Sequence, residues 1–212
     1  MRHKFSKTIV IALGGSIMYP EDIDVLFLKK FKKFILNRLR NGSRFIIVVG
    51  GGRTARVYQE AADKVSKISD EDKDWLGIHS TRANAHLLRT IFKDVADPVI
   101  IDSRDKMKKL RYPITIASGW RPGWSTDYIS IAIAGHFKIK EVVIAGKPAH
   151  VYDKDPHKHG NAKAINELTW KKYRKLIPAK WKPGLHSPVD PVGARLAEKK
   201  GIKIIESGKD KF

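Results

Sequence analysis

The chain has 212 residues, 42% of them hydrophobic and 30% charged, which suits one large domain with its own core and not a disordered chain. It contains no cysteine, so disulfide frameworks, thiolate catalysis and Cys-based zinc sites are excluded. Its 42 Lys and Arg against 22 Asp and Glu give a net charge of +20, a field that attracts nucleotides, phosphates or nucleic acid, although a generally basic proteome gives the same figure.

Thr8–Leu13 is an apolar, β-branched run closed by Gly14-Gly15 and reads as a buried strand. Ile23, Phe27, Phe31, Phe34, Ile35 and Leu39 follow at helical spacing, with lysines opposite and Asn41-Gly42 as the stop. Phe45–Val49 is a second buried strand that ends in glycines. Thr54–Val65 and Leu76–Phe92 read as helices, and Val99–Ile101 and Ile114–Ala117 as short strands. Thr126–His136 is a helix and Glu141–Ala145 a strand. Leu168–Leu176 and Pro191–Lys200 read as helices, Ile202–Ile205 as a last strand, and the proline-rich 178–191 as an irregular loop.

Short apolar strands alternating with amphipathic helices predict an α/β fold: a three-layer α/β/α sandwich around a mainly parallel sheet, as one domain over 1–212. Ligands in such folds sit at the carboxyl ends of the strands, and three glycine clusters fall there. Gly15 and Ser16 offer backbone amides and a hydroxyl to a phosphate, or form a tight turn. Gly50-Gly51-Gly52 precedes a helix carrying Arg53 and Arg56, and is an anion site built on amides, helix dipole and guanidinium charge, or a turn beneath solvated arginines. It is neither a GxxxxGK[ST] loop nor GxGxxG.

Gly119-Trp120-Arg121-Pro122-Gly123-Trp124-Ser125-Thr126-Asp127 is the third cluster. Ser125, Thr126 and Asp127 can each cap the following helix, and Asp127 can also orient basic groups around a reacting phosphoryl. In Val151-Tyr152-Asp153-Lys154-Asp155-Pro156 a ring beside carboxylates suits an adenine and ribose, or a polar hairpin tip. The histidines lack any HExxH pairing; His157 and His159, with Lys158 between them, are the closest pair, in a polar loop that reads as solvated, with metal binding as the minor alternative. No apolar run approaches the ~20 residues that span a bilayer, and Ile9–Leu13 is too short for a signal segment. A cytoplasmic protein is expected. Two phosphate sites on one parallel sheet suit phosphoryl transfer between nucleotides.

In order, VVGGGRTAR, Asp74-Trp75-Leu76-Gly77-Ile78, Thr81-Arg82-Ala83-Asn84-Ala85, RPGWSTD, VYDKDP and Pro188-Val189-Asp190-Pro191 resemble segments of the amino acid kinase superfamily, in particular the archaeal-type UMP kinases. The resemblance implies ATP-dependent phosphorylation of UMP, with an acceptor half over about 1–118 and a donor half over about 119–212. It implies UMP contacts from Gly51, Asp74, Trp120, Arg121, Pro122, Gly123, Trp124, Ser125 and Thr126. ATP contacts would come from Gly15, Ser16, Gly52, Arg56, Gly146, Tyr152 and Asp155, with Asp127 and Arg53 at the reacting centre. Mg²⁺ with ATP, a homohexamer built as a trimer of dimers, and a place in pyrimidine nucleotide synthesis are also implied.

The chain departs from that pattern where a lysine commonly stands two residues before the first glycine, here Ala12. It departs again at Gly146-Lys147-Pro148-Ala149-His150, where Thr-Asn-Val-Asp-Gly is usual. The second change predicts weaker, more salt-sensitive ATP binding. The rival readings are another small phosphorylated or carboxylated acceptor, and a catalytically silent basic protein that binds nucleotide or nucleic acid.

Overall fold

The structure, a computed structural model, describes residues 7–146, 150–154, 159–180 and 187–212. In chain order the elements are β1 (Thr8–Leu13), α1 (Gly15–Met18), α2 (Val25–Arg40), β2 (Arg44–Val49), α3 (Gly52–Val65), α4 (Asp70–Ile91) and β3 (Ile114–Ala117). They continue as α5 (Thr126–His136), β4 (Glu141–Ala145), β5 (Val151–Tyr152), β6 (Ala164–Ile165), α6 (Trp170–Leu176), α7 (Pro191–Lys200) and β7 (Lys203–Ser207).

Five strands form one sheet in the order β3-β2-β1-β4-β7, and every pairing in it is parallel. Strands buried on both faces need no alternation, which is why β1, β2 and β4 read as continuous apolar runs. One face carries Ile11, Leu13, Ile47 and Val49 against Phe27, Phe31, Ala85 and Leu88 of α2 and α4. The other carries Val10, Ala12, Val48 and Ile144 against Ile129, Ile133, Ala194 and Ala197 of α5 and α7. This is the expected α/β layering. A separate antiparallel pair, β5 with β6, lies outside the sheet. No helix of the described residues is long and apolar enough to cross a membrane.

Several elements differ from their sequence reading, four of them with consequences for the site. The Gly15–Met18 segment is a helical turn and not merely a glycine bend. Helix α4 starts six residues before Leu76, because Ser69 and Asp72 close a reciprocal capping box with a 3.1 Å bond from the Asp72 N–H to Ser69 Oγ. Val99–Ile101 is not a strand: Ile101 makes one isolated bridge to Ala117, and Val99 is 53% exposed. The last strand is Lys203–Ser207, which carries the acidic Glu206 into the sheet beside Ile144.

Candidate functional site

Strand order reverses between β1 and β4, since β2 and β3 lie on one side of β1 while β4 and β7 lie on the other. The carboxyl ends there are tied main chain to main chain: the Gly14 N–H donates to Ala145 O at 2.8 Å, and the Gly50 N–H to Leu13 O at 2.9 Å. This is the crevice where open α/β sheets hold ligands.

The two glycine loops are one structure. A Cβ on Gly15 would lie 2.1 Å from Gly52 N, and one on Gly50 would lie 2.5 Å from Gly15 N. Gly52 also has a φ of +67°, a conformation that L side chains rarely adopt. The glycines are therefore required by backbone-to-backbone approach. Beneath them, Asn84 Nδ2 of α4 donates to Gly50 O at 2.9 Å and Gly51 O at 3.0 Å. That contact holds both carbonyls on the helix side. Arg53 and Arg56 stand half-buried on the first turns of α3, and Arg53 Nε lies 3.5 Å from Glu21.

A second junction brings α4 to the loop after β3. Thr81 donates to Ile78 O at 2.6 Å and accepts from the Gly119 N–H at 2.7 Å. The Gly123 N–H donates to Asp74 Oδ2 at 2.8 Å. Asp74 thus anchors the 119–125 loop, and desolvation raises its carboxyl above the usual range against the pull of that bond. Trp120 is 6% exposed and its indole N–H donates to Ile101 O at 3.2 Å, so its side chain belongs to the core and only its main chain is left for a ligand. Arg121 stacks its guanidinium 4.7 Å from the Trp124 ring centre. Gly123 and the half-buried Pro122 complete the loop.

At the start of α5 the cap is Ser125, whose Oγ accepts from the Tyr128 N–H at 3.0 Å. Thr126 and Asp127 do not cap; they are the first residues of the helix. Asp127 is surrounded by protein on most sides, and burial together with the neighbouring Asp190 charge pushes its carboxyl up to about 8. Asp190 caps α7 through the Val192 and Gly193 N–H groups at 2.8 and 2.9 Å, and accepts from Ser125 Oγ at 2.5 Å.

On the donor side, Gly146 follows β4 and its N–H donates to Ser207 O at 3.1 Å. Tyr152 lies in β5, its ring 6.4 Å from that of His150. Asp155, His157 and the substituted Lys147-Pro148-Ala149 lie outside the described residues. Gly15 and Ser16 begin α1, beside Gly52. The sequence-predicted residues Gly15, Ser16, Gly51, Gly52, Arg53 and Arg56 thus converge, and Asp74 converges with the 119–125 loop. Thr81, Asn84 and Asp190 lie in segments that carry the family resemblance but were given no role there, and Glu206 was not anticipated. Asn84 interrupts the apolar stripe of α4, and Asp190-Pro191 is a cap followed by an N1 proline, so both left a local signal.

The amino acid kinase family model matches residues 7–205. The chain belongs to the amino acid kinase family. Its relatives include the uridylate kinases of Thermococcus sibiricus, 32% identical over 95% of this chain and 90% of that protein, and of Pyrococcus abyssi, 34% identical over the same shares. The crystal structure of uridylate kinase from Archaeoglobus fulgidus superposes with a TM-score of 0.79 at 24% identity, covering 96% of this chain and 92% of that one. Aspartate kinase from Synechocystis superposes with a TM-score of 0.74 at 16% identity, over 95% of this chain and 38% of that one.

Proposed function

We propose that the chain is an ATP-dependent UMP kinase, transferring the terminal phosphoryl of ATP to a phosphate oxygen of UMP and releasing ADP and UDP. The observation that carries this reading is the interlocked pair of glycine loops at the reversal point, with a separate anchored loop on the α4 side. Two anionic ligands then meet over one shelf of amides. The relatives named uridylate kinase support the choice of acceptor.

In this reading the half over about 1–118, with the 119–126 loop, holds UMP. Asp74 accepts from a ribose hydroxyl or keeps the Gly123 turn in place, and Gly51 and residues 120–126 contact the acceptor. Gly15, Ser16, Gly52, Arg56, Gly146, Tyr152 and Asp155 serve ATP. Arg53 offers a fixed charge to the transferring phosphoryl, and Asp127 orients the basic groups around it. The protein's share of catalysis is positioning and electrostatic stabilisation.

Mg²⁺ with ATP is part of the proposal. Among the described residues no group of three His, Asp or Glu could hold a metal. Mg²⁺ keeps phosphate and water ligands in preference to protein cages, so the ion would be carried in on the donor phosphates. When bound, it neutralises phosphate charge; no protein ligand is assigned to it.

A homohexamer, a cytoplasmic location and a place in pyrimidine nucleotide synthesis follow from the same reading and are proposed with it. The test is a coupled assay of ADP formation with a panel of nucleoside monophosphates and small acids. ADP release dependent on UMP is expected. Equal release with UMP absent, or preference for another acceptor, would overturn the assignment.

A further inference from the structure

Three carboxyl groups gather where α5, the start of α7 and β7 meet, and they differ in how many donors they receive. Asp190 accepts three hydrogen bonds, from Ser125, Val192 and Gly193. Asp127 is offered one by the Asp190 main chain. Glu206 receives none: both its oxygens are sealed from solvent and have no hydrogen-bond partner. Its place follows from the register, because Glu206 pairs with Ile144 on the face of the sheet that α5 covers.

An ionised carboxylate without water, donor or cation is strongly disfavoured, so the donor count orders Asp127 and Glu206. Asp127, with one donor, is raised less than Glu206, which has none and keeps its proton longer. Burial, and after it the charge of Asp127, pushes the Glu206 carboxyl up to about 9.

Among the described residues, no basic group near Glu206 makes a hydrogen bond to it. A cavity of about 1030 Å³ beside β7 is lined by His150, Glu167, Lys172, Tyr173 and Lys203 as well as by Glu206. None of these donates a hydrogen bond to it. Burial holds the Tyr173 hydroxyl protonated beyond its usual range, and that hydroxyl donates to Val189 O at 2.7 Å.

We propose that Glu206 is a positioning residue of the reaction centre: by staying uncharged over the range in which Asp127 ionises, it lets Asp127 present a negative charge to the groups around the transferring phosphoryl. The proposal rests on the kinase reading above for the role of Asp127. Ionisation of Glu206 would set a second buried negative charge beside Asp127. That charge would repel both Asp127 and the incoming phosphates.

Two readouts test it. Infrared difference spectra of the full chain, wild type minus Glu206→Gln, isolate the Glu206 carboxyl and can be followed with pH. An acid carbonyl band that persists through neutral pH is expected, with its midpoint falling in Asp127→Asn because the opposing charge is gone. An ionised Glu206 at neutral pH, or a midpoint indifferent to Asp127, overturns the proposal.

The second readout is the pH profile of kcat with ATP and UMP. The wild-type rate should fall about tenfold per pH unit beyond the Glu206 midpoint. Glu206→Gln should lose that alkaline limb and keep the acid limb set by Asp127. Glu206→Leu, which fills the same space without a polar group, should lose it too and serves where the glutamine variant folds poorly. An alkaline limb unchanged in both variants overturns the proposal. A chain inert toward UMP at every pH would defeat the kinase reading, while the infrared titration would still decide the coupling of Glu206 to Asp127.

Discussion

The glycine shelf and the carboxylate cluster lie at the same end of one sheet and are built by opposite means. The shelf is backbone held by backbone: Gly15, Gly50 and Gly52 approach so closely that no side chain fits between them, and Asn84 fixes the carbonyls beneath. The cluster is side chains held by the fold: Asp127, Asp190 and Glu206 come from α5, the start of α7 and β7. The shelf is rigid because its atoms touch. The cluster is electrostatically poised because the low-dielectric interior forces acidic groups to share protons and charge. A site of this kind separates holding phosphate from setting charge at the reacting atom.

The largest effect should come from breaking the shelf. Gly15→Ala places a Cβ 2.1 Å from Gly52 N, against main chain that cannot move aside without breaking the β1–β2 junction. A loss above about 3 kcal/mol is expected, read from urea denaturation, with loss of nucleotide binding. Gly160→Ala is the control, since nothing lies within 4 Å of the added atom; a change within about 0.5 kcal/mol is expected. Equal stability of the two variants would show that the loops are not interlocked.

Breaking the cluster should instead leave the fold and the binding of both nucleotides largely intact. Because Ser125 is the cap of α5, Asp127→Asn removes the ionisable carboxyl without removing a cap. A kcat lowered by about a hundredfold is expected, the size of loss seen when one preorganised electrostatic contact is removed, with little change in either KM. A near-normal turnover would take Asp127 out of the reacting centre.

The same division explains what could be read from the amino acids alone. Buried parallel strands advertise themselves as apolar runs, and glycine clusters at their ends mark the crevice, so β1, β4, α5 and the shelf were legible. Asn84 was partly legible, as a polar residue within an apolar stripe. Val99–Ile101 was misread because a three-residue apolar run along a sheet edge has the composition of a strand without its hydrogen bonds. Glu206 carried no local signal. An acidic residue ending a strand usually faces water, and only the pairing of β7 with β4 brings it to Asp127.

Asp74 sharpens the comparison, because it is a side chain that serves backbone positioning. Its carboxylate accepts from the Gly123 N–H at 2.8 Å, and hydrogen bonds to charged groups are worth about 1.5–3 kcal/mol. Asp74→Ala should therefore weaken UMP binding by at least about tenfold, while ATP binding changes much less. Calorimetry with each nucleotide separates the two, and an equal loss for both would move Asp74 away from the acceptor side.

The smallest effect concerns stability and reports on the cluster without any nucleotide. The Glu206 carboxyl is raised from 4.5 to about 9 on folding, so between those values the folded chain holds a proton that the unfolded chain releases. Folding stability therefore falls as pH rises through that window, and levels off above it. Glu206→Gln carries no such linkage. Its thermal midpoint should exceed that of the wild type by a few degrees near pH 8, and the gap should shrink steadily as pH falls and close below pH 4.5, where Glu206 is protonated in both states. Asp127 contributes a slope of the same sign, because its carboxyl is also raised, to about 8. Asp127→Asn should thus flatten the curve in part, and the double variant should flatten it most. Calorimetric scans across this range read all four proteins. Parallel curves for wild type and Glu206→Gln would mean that Glu206 is ionised in the folded chain, with a counter-charge that compensates it.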